Sequence, residues 1–210
     1  MKPLLAMLML MVSPPALAQS WQKATDGRFV VETSSPTNRE RLGEVFEVLR
    51  DAALELRQDR GWALPRTVTV RIYPTFMAYT DATRQPWYVA GTADRNTMTL
   101  HVQRLRVLLE RGSLERTLRH ELFHLAQPAQ WPRWRAEGSA MRFAGEAPSA
   151  RPFTKLNPDE LDRRLAEAGS RTDLARAAAT AWLWASRLES SQSEPDQSEL
   201  SSAPKRSSSP

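Results

Sequence analysis

The chain of 210 residues contains no cysteine and only three histidines. The missing thiols exclude a disulfide framework, a thiolate metal site, an iron–sulfur cluster and a cysteine nucleophile. Lysine is nearly absent too, with only Lys2, Lys23, Lys155 and Lys205. The excess of 29 basic over 24 acidic residues, a net charge of +5, is therefore an arginine effect. It is modest and dispersed, and no nucleic-acid-binding motif accompanies it, so no nucleic-acid partner is expected. Hydrophobic residues at 41% against 25% charged exclude wholesale disorder and suffice for one core. With three histidines, any imidazole chemistry must be concentrated in one place.

Long apolar runs are missing after the first eighteen residues. Lys2 supplies a positive start, Leu4 to Val12 are apolar, Ser13-Pro14-Pro15 interrupts, and Ala16-Leu17-Ala18 fits a small-residue cleavage site. Residues 1–18 read as a secretory signal peptide. The run is short for a bilayer span, so export to the periplasm or medium without stable membrane insertion is expected. From Ser190 the chain is Ser, Pro, Gln, Glu and Asp with few apolar residues, which predicts a disordered tail over 190–210. A single domain is left over 19–189.

Within it, 28–33 reads as a strand ended by Ser34-Ser35-Pro36. Leu42, Val45, Phe46, Leu49, Ala53 and Leu56 repeat at helical spacing, with Asn38 as N-cap and Gly61 as stop. Val68, Val70 and Ile72 alternate toward Pro74, a short helix fits 75–83, and Trp87 to Asp94 is loop-like around Gly91. Residues 97–102 alternate again, with Met98, Leu100 and Val102 on one face. Helices are then expected over 114–126 capped by Ser113, from Pro132 to about Ala144, from Asn157, and over 172–188 behind a Ser170–Asp173 capping box. Strands followed by helices indicate an α+β class.

His120-Glu121-Leu122-Phe123-His124 falls inside the 114–126 helix. Four residues make slightly more than one turn, so both imidazoles project from one face and can share a metal ion. Glu121, rotated by about 100°, stands beside them, where its carboxylate can act on water. Leu114, Leu118, Leu122 and Leu125 form an apolar stripe away from the histidines. A catalytic zinc site needs a third protein ligand. His101 is remote in sequence and cysteine is lacking, so a carboxylate must serve. Glu137, thirteen residues beyond His124, is the first candidate and Glu146 its rival. A helix, the Gln127–Pro132 turn and a second helix can return Glu137 to the histidines, with small Gly138, Ser139 and Ala140 allowing close helix approach.

His120-Glu121-x-x-His124, a proline-bearing linker, then Trp134-x-x-Glu137-Gly138-x-Ala140 resembles the gluzincin pattern of thermolysin-like zinc metallopeptidases, especially the compact bacterial peptidase MA family. The likeness of layout extends over about 28–188. It implies a zincin-like domain: a small twisted sheet beside the HExxH helix, and a cleft between sheet edge and metal. It also implies one zinc held by His120, His124 and Glu137, with Glu121 as general base in peptide-bond hydrolysis. The edge strand, here Thr97, Thr99 and His101, would pair with a peptide substrate. Required neutral imidazoles mean that activity should fall in acid.

The pattern lacks one member. Gluzincins provide a Tyr or His for the oxyanion, but the last helix offers Trp182 and Trp184. Tyr88 and His101 are the available substitutes. Trp131 and Trp134 beside Arg133 and Arg135 read as helix packing with solvated arginines. Two further readings stand beside the peptidase: a non-catalytic envelope protein on a zincin scaffold that binds a peptide or protein partner, and an arginine-rich binding module without metal.

Overall fold

The computed structural model describes residues 20–64 and 66–193. The proposed signal peptide (1–18) and most of the expected tail (194–210) lie outside the described residues. The fold is α+β, with a five-stranded mixed sheet followed by a helical half.

Strands β1 (Gln22–Asp26), β2 (Phe29–Thr33), β3 (Val68–Ile72), β4 (Gly91–Asp94) and β5 (Thr99–Val102) lie in the order β1-β2-β3-β5-β4. β2, β3 and β5 run parallel, and β1 and β4 close the two edges antiparallel. β1 was not expected. It is polar and exposed, and only the hairpin to β2 reveals it.

The second edge corrects the expected loop at Trp87 to Asp94. Gly91–Asp94 is a strand, and a tight hairpin joins it to β5. Asp94 accepts the backbone N–H of Asn96 at 2.9 Å and the Thr97 hydroxyl at 2.8 Å. Met98 then takes a left-handed φ of 53°. Residues 95–98 are therefore turn, and the strand expected over 97–102 starts at Thr99.

Register separates the sheet's faces. Val31, Val70, Leu100 and Ala93 align in one row and meet the helices. The next row is Lys23, Glu32, Arg71, His101 and Thr92. There Glu32 accepts Lys23 Nζ at 2.7 Å and Arg71 Nη2 at 2.6 Å.

Helix α1 (Leu42–Arg60) packs against α4 (Leu114–Ala126) over the apolar face, around Val45, Leu49, Leu118 and Leu122. Gly61, at φ 67°, ends α1 as its composition suggests. Asn38 does not cap it. A 3₁₀ turn over Pro36–Arg41 intervenes, and Asn38 donates instead to the Thr33 hydroxyl. Short helices α2 (Phe76–Thr83) and α3 (Leu105–Glu110) lie between strands and before α4. Ser113 makes no side-chain cap on α4.

The helical half comprises α5 (Arg133–Phe143), α6 (Pro158–Ala166) and α7 (Arg171–Ser193). Asn157 caps α6, and Ser170 Oγ accepts the Asp173 N–H at 3.1 Å at the start of α7. α7 extends to Ser193, so helix continues into the stretch expected to be tail. Trp134 meets Trp184 at 5.4 Å, and Trp131 meets Trp62 at 5.3 Å, which places both linker tryptophans in packing roles.

Gly138 was expected to let α5 approach α4; it faces α7 instead. A Cβ there would lie 2.2 Å from the Ala181 carbonyl oxygen and 2.9 Å from Ala185 Cβ. Both helices carry small residues at the crossing, so their backbones nearly touch. Gly138→Ala should cost at least about 2–3 kcal/mol, because backbone cannot yield as a flexible side chain can. Urea unfolding of the variant measures this, and an unchanged midpoint would contradict the close contact.

Candidate metal centre

The site is built on α4, whose apolar stripe is sunk in the core and whose opposite face carries the histidines. The rings of His120 and His124 lie 4.9 Å apart. Both present Nε2 to one oxygen of Glu137: Oε2 is 3.4 Å from His120 and 3.6 Å from His124. Ligand atoms of the three residues lie within 4.8 Å of one another.

Glu137 arrives there because α5 is clamped at both ends. At its start Pro132 leaves the backbone extended, and Asp162 of α6 accepts the N–H groups of Arg133 at 3.1 Å and Trp134 at 2.6 Å. That carboxylate caps α5 from another helix. At its end Arg119 of α4 donates to the Phe143 carbonyl at 2.8 Å and to Glu55 at 2.6 Å.

The chain leaves α5 in a Schellman turn. Gly145 sits at φ 67°, its N–H reaches the Arg142 carbonyl, and the Glu146 N–H reaches that of Met141. The reversal aims Glu146 back at α4, with Oε1 3.1 Å from His120 Nδ1. A carboxylate that accepts there holds a proton on Nδ1, so the proton that a metal would displace is the one on Nε2. Glu146, weighed from sequence as a rival ligand, is placed to orient His120. No spacing rule could have shown that, since the nine-residue separation from Glu137 is bridged by a turn.

Glu121 is buried on the side of α4 facing β4. Gly91 lies directly against it: a Cβ there would fall 2.9 Å from Glu121 Cγ and 3.0 Å from Thr117 Cγ2. Burial pushes the Glu121 carboxyl above its ordinary range, only partly opposed by the two histidines. Behind it the fully buried Tyr79 has a hydroxyl without a hydrogen-bond partner among the described residues. Burial, and then the charge of Glu121, raise that phenol, so Tyr79 stays protonated. The sequence carried no sign of this residue, because its only link to the motif is through space.

Burial alone would depress His120, yet its contacts with Glu137 and Glu146 raise it well above 6.5. Burial would likewise raise Glu137, and the two histidines, His124 first, hold it well below 4.5. Without metal, His120 is thus an imidazolium between carboxylates. A divalent ion at the Nε2 atoms would replace that proton.

A cleft of about 730 Å³ opens over these groups, lined by α4, β4, α5 and the start of α7. Tyr88 lies on its wall. His101 does not: it is on the opposite face of the sheet, stacked on Tyr73 with Nδ1 2.8 Å from the phenol oxygen. The expected substrate-pairing strand also needs correction. Thr99 and His101 belong to β5, which is interior, and Thr97 is in the hairpin turn. The edge beside the cleft is β4, whose Gly91, Thr92 and Ala93 line it.

No protein-family model matches the chain, and a comparison with curated proteins finds no match.

Two measurements follow from the geometry. Glu137→Ala should abolish stoichiometric metal uptake, whereas Glu146→Ala should weaken it by about 10–100-fold, as loss of an orienting carboxylate does. The reverse order, in metal titrations, would make Glu146 the ligand. In the metal-free protein the raised His120 stabilises below 6.5 and loses that effect as pH rises through its folded value. The depressed Glu137 stabilises above 4.5 and loses that effect in acid. Thermal unfolding without metal should therefore peak between these values, and a maximum above pH 8 would contradict the charged arrangement.

Proposed function

We propose that the chain is an exported, zinc-dependent peptidase with a zincin-like fold. The observation that carries this reading is the convergence of His120, His124 and Glu137 on one point, with the Glu121 carboxylate beside it at the base of an open cleft. The donor set fits zinc in kind: two imidazoles, His120 giving up its Nε2 proton to the ion, a carboxylate, and room for water. A sheet beside α4, with a cleft between its edge strand β4 and the histidines, supports the layout that the gluzincin resemblance implies.

Zinc, when bound, supplies a Lewis acid and lowers the pKa of its water toward about 7. His120, His124 and Glu137 would hold it, with Glu146 fixing the His120 tautomer. An extended peptide would add to β4, whose outer side is free of any strand among the described residues. Gly91 lacks a side chain where that backbone must come close to Glu121. Glu121 takes the proton from the attacking water and delivers it to the leaving amine, and its raised affinity for protons suits both transfers. Tyr88, on the cleft wall, is the phenol available to the oxyanion.

A second reading, a peptide-binding protein on the same scaffold without turnover, is favoured by one feature. α7 brings Leu174, Ala175 and Ala178 to the cleft and no phenol or imidazole.

Cleavage of a peptide library, with metal content measured in parallel, separates the two. Glu121→Gln should keep zinc and lose about 10²–10⁴-fold in rate. Equal cleavage by both proteins would exclude Glu121 as base, and no cleavage by the zinc-loaded parent would favour the binding protein. Gly91→Ala should also keep zinc but slow turnover by about tenfold or more, since its methyl group displaces Glu121. A full-rate variant would show that the strand can yield at that point.

A further inference from the structure

The charges lining the cleft are sorted by position. Its three carboxylates, Glu121, Glu137 and Glu146, all stand at the histidine pair, and its other charged groups are Arg95, Arg133 and Arg171. Arg95 follows β4 directly, about 13 Å along the strand from Gly91. Its Nη2 donates to the Gln127 carbonyl at 2.7 Å, which fixes the guanidinium at the end of the edge strand and leaves further N–H groups for a ligand. Arg133 opens α5 a few residues beyond the end of α4, and Arg171 opens α7. Both are exposed, and among the described residues neither guanidinium is paired with a carboxylate.

At the same end Gln127 lines the cleft, and its backbone carbonyl, accepting from Arg95, ties the end of α4 to the end of the edge strand.

We propose that the cleft selects peptides bearing a carboxylate about three residues from the bond at Glu121, bound by Arg95 and Arg133. The inference rests on the reading of the cleft as a peptide site. With zinc present, the carboxylates at the metal centre are largely neutralised, so the arginines dominate the field an entering peptide meets. An Asp or Glu side chain and a free C-terminus offer the same group.

The test uses the zinc-loaded full chain carrying Glu121→Gln and three labelled peptides of equal length, read by fluorescence anisotropy. One carries Asp and Glu with an amidated end, one has neutral side chains and a free carboxylate, and one is neutral and amidated. At least one carboxylate peptide should bind about tenfold tighter than the neutral amide at about 50 mM salt, and the advantage should shrink at about 500 mM. Which peptide gains identifies the source of the carboxylate. Arg133→Ala, an exposed change that leaves the metal centre intact, should remove most of the advantage. Equal binding of all three peptides, or an advantage that survives the loss of Arg133 and Arg95, overturns the proposal. Cleavage by the parent protein without acidic preference overturns it while leaving the peptidase reading intact. Acid-selective binding without any cleavage upholds it and removes the peptidase reading instead.

Discussion

Three acidic side chains crowd one pair of imidazoles, and the position of helix α5 makes this possible. Glu137 reaches both Nε2 atoms because α5 lies on α7 at backbone distance, where Gly138 leaves no room for a methyl group. The same helix is held at its start by Asp162 and at its end by Arg119, and its terminal turn aims Glu146 at His120. Moving α5 by an ångström would separate all of these contacts together. Such a site is positioned by packing of rigid elements, and its polar groups then complete what the packing allows.

On the other side of α4 the constraint is backbone against carboxylate. β4 crosses Glu121 at Gly91, so the general-base candidate is sealed by a strand whose outer edge pairs with no other strand among the described residues. Burial that raises the Glu121 carboxyl also excludes water from one side of it. The site therefore carries opposed charges in a confined space, a costly arrangement that a bound divalent ion would relieve by displacing the His120 proton.

Much of the architecture was legible from residue patterns. The stripe Leu114, Leu118, Leu122 and Leu125 identified α4, and the alternation of Val68, Val70 and Ile72 identified β3, because each pattern reports a face that must be buried. The return of Glu137 to the two histidines was legible from a linker short enough to bring the chain back. Where the reading failed, the pattern was weak. β1 is polar on both faces, and β4 has four residues, one of them glycine. Their strand character comes from a neighbour's hydrogen bonds, which no local preference encodes. His101 alternates correctly, but alternation does not say which face of a sheet meets the cleft. Gly138 was recognised as small while its partner was misassigned, since sequence does not order helices in space.

By itself, the sequence determined the chemistry on offer: no thiols, two histidines a helical turn apart with a carboxylate between them, and acidic residues downstream. These are properties of residue types and of the 3.6-residue period, both local. Only the tertiary structure decided which carboxylate meets both Nε2 atoms and which meets His120 Nδ1, which strand forms the edge of the cleft, and that a buried tyrosine stands behind Glu121. Such assignments depend on contacts between groups far apart in the chain, and those distances follow from how helices and strands pack.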